Sequence, residues 1–131
     1  MPRVLVVDDH TEKREDLARC LRMAGFDAHV TDSQTALVAA ASSGADLVIV
    51  DLMLHGTNGF ELARRMRASS PSVRVVLTSD YHFSATQLAR IDCGAVGFVP
   101  RPFELEELTS FLWAKLAAAS ANVLEAAVDR S

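Results

Sequence analysis

The sequence predicts an α/β fold in which a parallel sheet is built from repeated strand–helix–strand units. Residues 47–50 read Leu-Val-Ile-Val, a continuous apolar run that indicates a strand buried on both faces in the middle of such a sheet. Similar short runs alternate along the chain with segments of helical periodicity, which favours right-handed crossover connections. The chain has 131 residues, half of them hydrophobic, which indicates one domain with a sizeable core.

The first half of the chain alternates strand and helix up to the buried strand. We predict strands at residues 4–7 and 26–30 and helices at residues 10–24 and 32–44. The first strand stops at Asp8, and Gly25 is suited to end the first helix. The second strand is shorter and more polar, which is typical of a sheet edge. Asp32 or Ser33 can cap the second helix.

The second half repeats the pattern. We predict helices at residues 59–68, 83–93 and 104–116 and strands at residues 73–77 and 95–99. Pro71 breaks the first of these helices, Thr78 follows a β-branched strand, and Gly94 ends the next helix. The last helix has a leucine stripe and begins with Glu104, whose charge suits the positive end of a helix dipole.

Composition excludes several classes of protein. The net charge is −4 and no long basic run occurs, which argues against direct nucleic-acid binding. No signal peptide or membrane-spanning run is visible, so we expect a cytoplasmic protein. Cys20 and Cys93 lack metal-ligand spacing and are expected to be reduced core residues. We expect a domain over residues 1–118 and a helical extension or frayed tail over residues 119–131.

Polar side chains follow four of the predicted strands: Asp8 and Asp9, Asp51, Thr78 and Arg101. The carboxyl ends of parallel strands meet at one edge of the sheet, where ligands bind in open α/β folds. Two carboxylates ~4 Å apart repel by about 4 kcal/mol at an effective dielectric of ~20. A hard divalent cation such as Mg²⁺ would relieve this repulsion and allow a carboxylate to attack a phosphoryl group.

In this order and spacing, the residues resemble the receiver domain of bacterial two-component response regulators over residues 1–118. The matching pieces are residues 4–9, Asp51, Gly59, Thr78 and the Arg101-Pro102-Phe103 segment. The resemblance implies a flavodoxin-like sheet in the order 2-1-3-4-5 with five flanking helices. It also implies a phospho-acceptor in a phosphorelay, a signalling domain and not a true enzyme, which acts with a sensor histidine kinase or phosphotransfer protein and a downstream partner.

The resemblance also assigns the site. Asp51 would be the phosphoacceptor, and Thr78 and Arg101 would contact the phosphoryl group. The Mg²⁺ ligands would be Asp9, Asp51 and the backbone carbonyl of Met53, with Asp8 contacting the ion through water. Thr78 and Phe98 would move together on phosphorylation and reshape the face of the fourth helix, fifth strand and fifth helix, where a homodimer could form.

This chain departs from the family at three places. Arg101 stands where the family usually has lysine, Leu54-His55 replaces a frequent Met-Pro, and Pro100 precedes Arg101. We expect a cis bond before Pro102. These departures leave open a phosphorylation-independent interaction module of the same fold. A phosphatase-like hydrolase with a strand-end aspartate nucleophile is a further alternative. The four histidines are interpreted as solvated, although His55 could tune phosphoryl loss.

Overall fold

The structure, a computed structural model, describes residues 1–118 and 125–126. Its strands are β1 (Arg3–Val7), β2 (Asp27–Thr31), β3 (Leu47–Asp51), β4 (Arg74–Ser79), β5 (Gly97–Pro100) and β6 (Glu125–Ala126). Its helices are α1 (Thr11–Met23), α2 (Ala36–Ser43), α3 (Gly59–Ser69), α4 (Ala85–Ala89) and α5 (Leu105–Ala117). Among the described residues, no helix combines the length and apolar character needed to cross a membrane.

The predicted five-stranded parallel sheet in the order β2-β1-β3-β4-β5 is confirmed. All five residues of β3 are buried, as expected for a strand paired on both sides and covered on both faces. The short strand β6 adds to the free edge of β5 and runs parallel to it, pairing with Gly97 and Phe98. The rest of the predicted extension at residues 119–131 lies outside the described residues.

Successive strand residues point to opposite faces of the sheet and so build two hydrophobic layers. On one face, Val48 and Val50 of β3 pack with Leu62 and Met66 of α3. On the other face, the intervening strand residues meet α1 and α5; this layer includes Val4, Leu21, Phe26, Leu47, Ile49, Leu108 and Leu112. Burying a side chain of this size contributes about 1.5–3 kcal/mol, so the two layers hold the strand ends in register.

Helix α4 is much shorter than the predicted helix at residues 83–93. Ser84 begins it with a capping box: the Ser84 hydroxyl accepts from the amide of Gln87, and the Gln87 side chain accepts from the amide of Ser84. After Ala89, the amides of Arg90 and Ile91 bond to carbonyls three residues back, which tightens and ends the helix. The prediction was wrong at both ends because an apolar run does not mark where capping begins.

The residues that flank α4 are nevertheless part of the core. Phe83 precedes the helix and its ring lies edge-on to Phe98, with the ring centroids 5.2 Å apart. Cys93 follows the helix and is buried, and this burial raises the pKa of its thiol. Cys20 is half-buried, and neither cysteine is in a disulfide.

Candidate functional site

The carboxyl ends of β1, β3, β4 and β5 bring four of the predicted side chains together. Asp51 and Thr78 are direct partners across the β3–β4 ladder. Asp51 is 1% exposed and Asp8 is 5% exposed, so both carboxylates are removed from bulk water. Arg101 follows β5 and extends across the end of β4 to reach Asp51. The convergence that the topology predicts is therefore present in the fold.

Asp51 lies at the centre of this group. Its Oδ1 accepts hydrogen bonds from the backbone amide of Met53 at 3.0 Å and from Nη2 of Arg101 at 3.4 Å. The ammonium of Lys13, on α1, lies 3.7 Å from Oδ2. Oδ2 itself is buried and has no hydrogen-bond partner among the described residues. A buried carboxylate oxygen with spare acceptor capacity is suited to bind a cation or to form a bond.

Arg101 lies between two aspartates, Asp80 and Asp51, and contacts both. Its Nε donates to Asp80 at 3.0 Å and its Nη1 lies 3.4 Å from the hydroxyl of Thr78. Burial of the guanidinium acts to lower the pKa of Arg101, but the contacts with Asp80 and Asp51 outweigh it and raise that pKa. The same hydrogen bond lowers the pKa of Asp80. The peptide bond between Arg101 and Pro102 is cis, as predicted.

Thr78 and Phe98, the predicted switch pair, occupy neighbouring strands. The Thr78 hydroxyl donates to the carbonyl of Val99 at 2.9 Å, which fixes its orientation inside the sheet edge. Phe98 is fully buried and packs against the ring of Phe83. Both side chains are therefore held in place by contacts with their neighbours.

Asp9 is directed to two neighbouring loops. Its carboxylate accepts from the amide of Ser33 at 2.8 Å, from the hydroxyl of Ser33 at 2.8 Å and from the amide of His55 at 2.7 Å. Partial burial opposes ionisation, but these hydrogen bonds outweigh it and lower the pKa of Asp9. The structure therefore places Asp9 as a tie between the loops after β2 and β3, and its predicted role as a metal ligand stays a prediction.

His10 joins Asp8 and Asp51 instead. Ligand atoms of these three side chains lie within 4.8 Å of one another, close enough to surround one cation. The Nδ1 atom of His10 is 3.1 Å from Oδ1 of Asp8. The sequence interpretation missed this residue by treating all histidines as solvated. Its position directly after an acidic pair at a strand end was the available signal.

The residues fit a divalent cation. Two buried carboxylates converge, and the unpartnered Oδ2 of Asp51 is an oxygen of the kind that Mg²⁺ prefers. Gly59 helps to shape the wall, because a Cβ at that position would lie 2.7 Å from the carbonyl oxygen of Asp51. Asn58 caps α3 beside it by accepting from the amide of Glu61 at 2.8 Å.

A family model described as the response regulator receiver domain matches residues 4–112. The chain belongs to this family. Response regulator MprA from Mycolicibacterium vanbaalenii is 33% identical over 115 residues, which are 87% of this chain and 50% of that protein. Sensory transduction protein RegX3 from Mycobacterium tuberculosis is 35% identical over 117 residues, 88% of this chain and 51% of that protein. The receiver domain thus spans about half the length of these curated relatives.

Solved receiver structures share the fold. A LuxR-family two-component response regulator from Aurantimonas is 30% identical with a TM-score of 0.78, covering 90% of this chain and 89% of that one. Response regulator TrrA from Thermotoga maritima, described as a complex with Mg(2+)-BeF, is 30% identical with a TM-score of 0.77, covering 88% and 99%. The chain is therefore a receiver domain of the two-component type, and the acidic cluster lies at the edge of the sheet predicted for phosphorylation.

Proposed function

We propose that this receiver domain is phosphorylated on Asp51 in a Mg²⁺-dependent reaction and acts through a partner protein. The observation that carries the proposal is the buried Oδ2 of Asp51, which has no hydrogen-bond partner among the described residues and whose nearest cationic neighbour among them is the Lys13 ammonium at 3.7 Å. A carboxylate oxygen in that position can attack phosphorus. The new O–P bond forms as the bond from phosphorus to a histidine nitrogen or an acetate oxygen breaks.

The surrounding side chains suit this step. The Met53 amide and the Arg101 guanidinium bind Oδ1, and Oδ2 accepts no hydrogen bond from the described residues. Arg101 and Lys13 lie beside Asp51 and can donate to phosphoryl oxygens, and the hydroxyl of Thr78 could do so after releasing the carbonyl of Val99. Mg²⁺ would be held by Asp8 and Asp51, and when bound it offsets the negative charge of the phosphoryl group.

Two further predicted Mg²⁺ ligands are not supported by the contacts around Asp51. The carbonyl of Met53 and the carboxylate of Asp9 are proposed on the family resemblance alone. Asp9 would have to release the hydroxyl of Ser33 or one of its two backbone amides in order to contact the ion.

The phosphoryl donor is proposed to be a sensor histidine kinase or phosphotransfer protein in the cytoplasm. Output would follow movement of Thr78 and Phe98, which links the phosphorylation site to the face formed by α4, β5 and α5. That face is the proposed docking surface for a downstream partner or a second copy. Its support is two contacts: Arg101 with Thr78 in the site, and Phe98 of β5 with Phe83, which precedes α4.

Incubation with acetyl phosphate and Mg²⁺ tests the proposal. We expect intact-mass analysis to show one added phosphoryl group, which is lost with chelator and absent in Asp51→Asn. Asp16→Asn is the matched control, because Asp16 is an exposed carboxylate on α1 whose ion pair lies outside the site. No mass increment on the wild-type chain, or an increment that persists in Asp51→Asn, would contradict the assignment.

The alternatives are not favoured. A phosphorylation-independent module would not need a buried, unpartnered acceptor oxygen, and here Arg101 contacts Asp51 and Thr78 despite replacing the usual lysine. The family match is to a receiver domain, not to a hydrolase family.

A further inference from the structure

We propose that His10 is a direct ligand of the cation site, so that this receiver binds a nitrogen-preferring divalent ion such as Co²⁺ more tightly than it binds Mg²⁺. This inference concerns the same site as the proposed function, and it predicts the metal preference that the particular residues of this chain produce.

The ligand set is visible in the geometry. One ligand atom each from Asp8, His10 and Asp51 lies within 4.8 Å of the others. Asp8 and His10 follow β1, and Asp51 ends the adjacent strand β3. The two carboxylates are buried, whereas the His10 ring is half exposed at the rim. The ring therefore lies between the acids and solvent, where it can complete a cation site.

The buried oxygen of Asp51 is an independent observation that a ligand belongs here. Oδ2 of Asp51 is inaccessible to water and accepts no hydrogen bond from the described residues. Leaving such an acceptor unsatisfied is unfavourable, and a bound cation would satisfy it. Lys13 offsets its charge from 3.7 Å, beyond hydrogen-bond distance, on a side chain that is 42% exposed and free to withdraw into water.

The neighbouring acid is already engaged. Asp9 accepts three hydrogen bonds of 2.7–2.8 Å from Ser33 and His55. Bonds of this length to a charged acceptor are strong, and a cation would have to compete with all three of them. The imidazole of His10 has one short contact to give up, and that contact is to Asp8, itself a member of the set.

The chemistry of an imidazole then sets the preference. Carboxylates alone suit Mg²⁺, whereas imidazole nitrogen suits Co²⁺, Ni²⁺ and Zn²⁺. Mg²⁺ gains little from a nitrogen ligand, so its affinity should depend on the two carboxylates. Co²⁺ should gain from all three side chains.

Calorimetric titration of the untagged, metal-free chain with CoCl₂ and MgCl₂ at one fixed neutral pH tests the proposal. We expect Co²⁺ to bind at least about tenfold more tightly than Mg²⁺. His10→Gln should lose most of that advantage while the Mg²⁺ affinity changes by less than about threefold. His29→Gln is the matched control, since His29 also contacts an aspartate, Asp27, but is on β2 away from the site.

His55→Gln separates the two histidines nearest the site, because the rings of His10 and His55 are 5.6 Å apart. The proposal expects His55→Gln to keep the Co²⁺ preference. It is overturned if His10→Gln binds Co²⁺ as tightly as wild type, or if His55→Gln produces the same loss as His10→Gln. Pulsed electron paramagnetic resonance of the chain loaded with Cu²⁺, a paramagnetic ion that imidazole suits, gives a second measurement: coupling to a bound imidazole nitrogen should be present in wild type and absent in His10→Gln.

These results are separable from the phosphorylation assay. A chain that fails to acquire a phosphoryl group but shows the His10-dependent Co²⁺ preference would contradict the proposed function and support the ligand assignment. A chain that is phosphorylated with Mg²⁺ yet binds Co²⁺ independently of His10 would support the proposed function and contradict the ligand assignment.

Discussion

Asp9→Asn offers a sharp test of the loop tie that the structure assigns to Asp9. The carboxylate accepts from two backbone amides and one hydroxyl at 2.7–2.8 Å. An asparagine in the same rotamer presents one oxygen and one NH₂ group, so the amide of Ser33 or that of His55 must lose its acceptor. Hydrogen bonds to a charged group contribute about 1.5–3 kcal/mol each, and we expect a net loss of about 2–3 kcal/mol. For a chain of this size that loss corresponds to a fall in Tm of roughly 6–15 °C.

The assay is urea unfolding in the presence of chelator, followed by circular dichroism from pH 7 down to pH 3. The pKa of Asp9 is lowered in the folded chain, so its stabilising effect is complete above the unfolded value of about 3.9. It is lost as the pH falls through the lower, folded pKa. The stability difference between wild type and Asp9→Asn should therefore be constant near neutrality and should shrink below about pH 4.

The matched control is Asp16→Asn, which removes an exposed carboxylate from α1. Among the residues that the structure describes, Asp16 pairs only with Arg19 at the surface, and such pairs contribute about 0–1 kcal/mol. If Asp9→Asn is no less stable than Asp16→Asn at pH 7, the tie does not stabilise the chain. If its deficit is large but independent of pH down to 3, the charge of Asp9 is not the cause. Either result refutes the reasoning.

Two further substitutions probe the site wall and the cation across it. Gly59→Ala would place a Cβ 2.7 Å from the backbone oxygen of Asp51. We expect the free energy of unfolding in urea to fall by about 1–3 kcal/mol and phosphorylation by acetyl phosphate to become slower. Unchanged values for both would contradict the close approach. Arg101→Lys keeps the charge but loses the planar fork that reaches Asp51, Thr78 and Asp80. We expect about 1–2 kcal/mol lower stability and a rise in the pKa of Asp80 measured by NMR; an unshifted Asp80 would contradict the contact.

Much of the sheet could be predicted because burial on both faces leaves a strong signal. The run at 47–50 has no polar residue, and a strand of that kind must lie between two others and under two helical layers. The ends of α4 could not be predicted in the same way. Phe83 and Cys93 look like members of a helix face, but both lie in irregular segments that flank α4. Phe83 is partly buried against Phe98, and Cys93 is buried in the core.

The site residues likewise fall into those that could be predicted from the sequence and those that could not. Asp51 and Thr78 lie at the carboxyl ends of β3 and β4, and Arg101 follows β5. The order of these strands in the sheet is set by topology, so the convergence of the three residues could be predicted from sequence. Asp9 and His10 come after β1 has ended, where the side-chain alternation of a strand no longer applies. Which of them faces Asp51 depends on hydrogen-bond donors supplied by other loops, and no pattern around Asp9 identifies those donors.

The electrostatics of the site also depend on side chains that a strand-end pattern omits. Repulsion between the carboxylates of Asp8 and Asp51 was the reason to expect a cation. The folded chain supplies two cationic side chains of its own: Arg101 lies 3.4 Å from the carboxylate of Asp51, and Lys13 lies 3.7 Å from it. They are not equivalent. Arg101 is 17% exposed and is held by Asp80, so displacing it would leave a charged group without its partner. Lys13 is 42% exposed and can regain hydration by rotating outward, so a divalent ion that enters the cluster would displace the lysine and leave the arginine in place for a phosphoryl group.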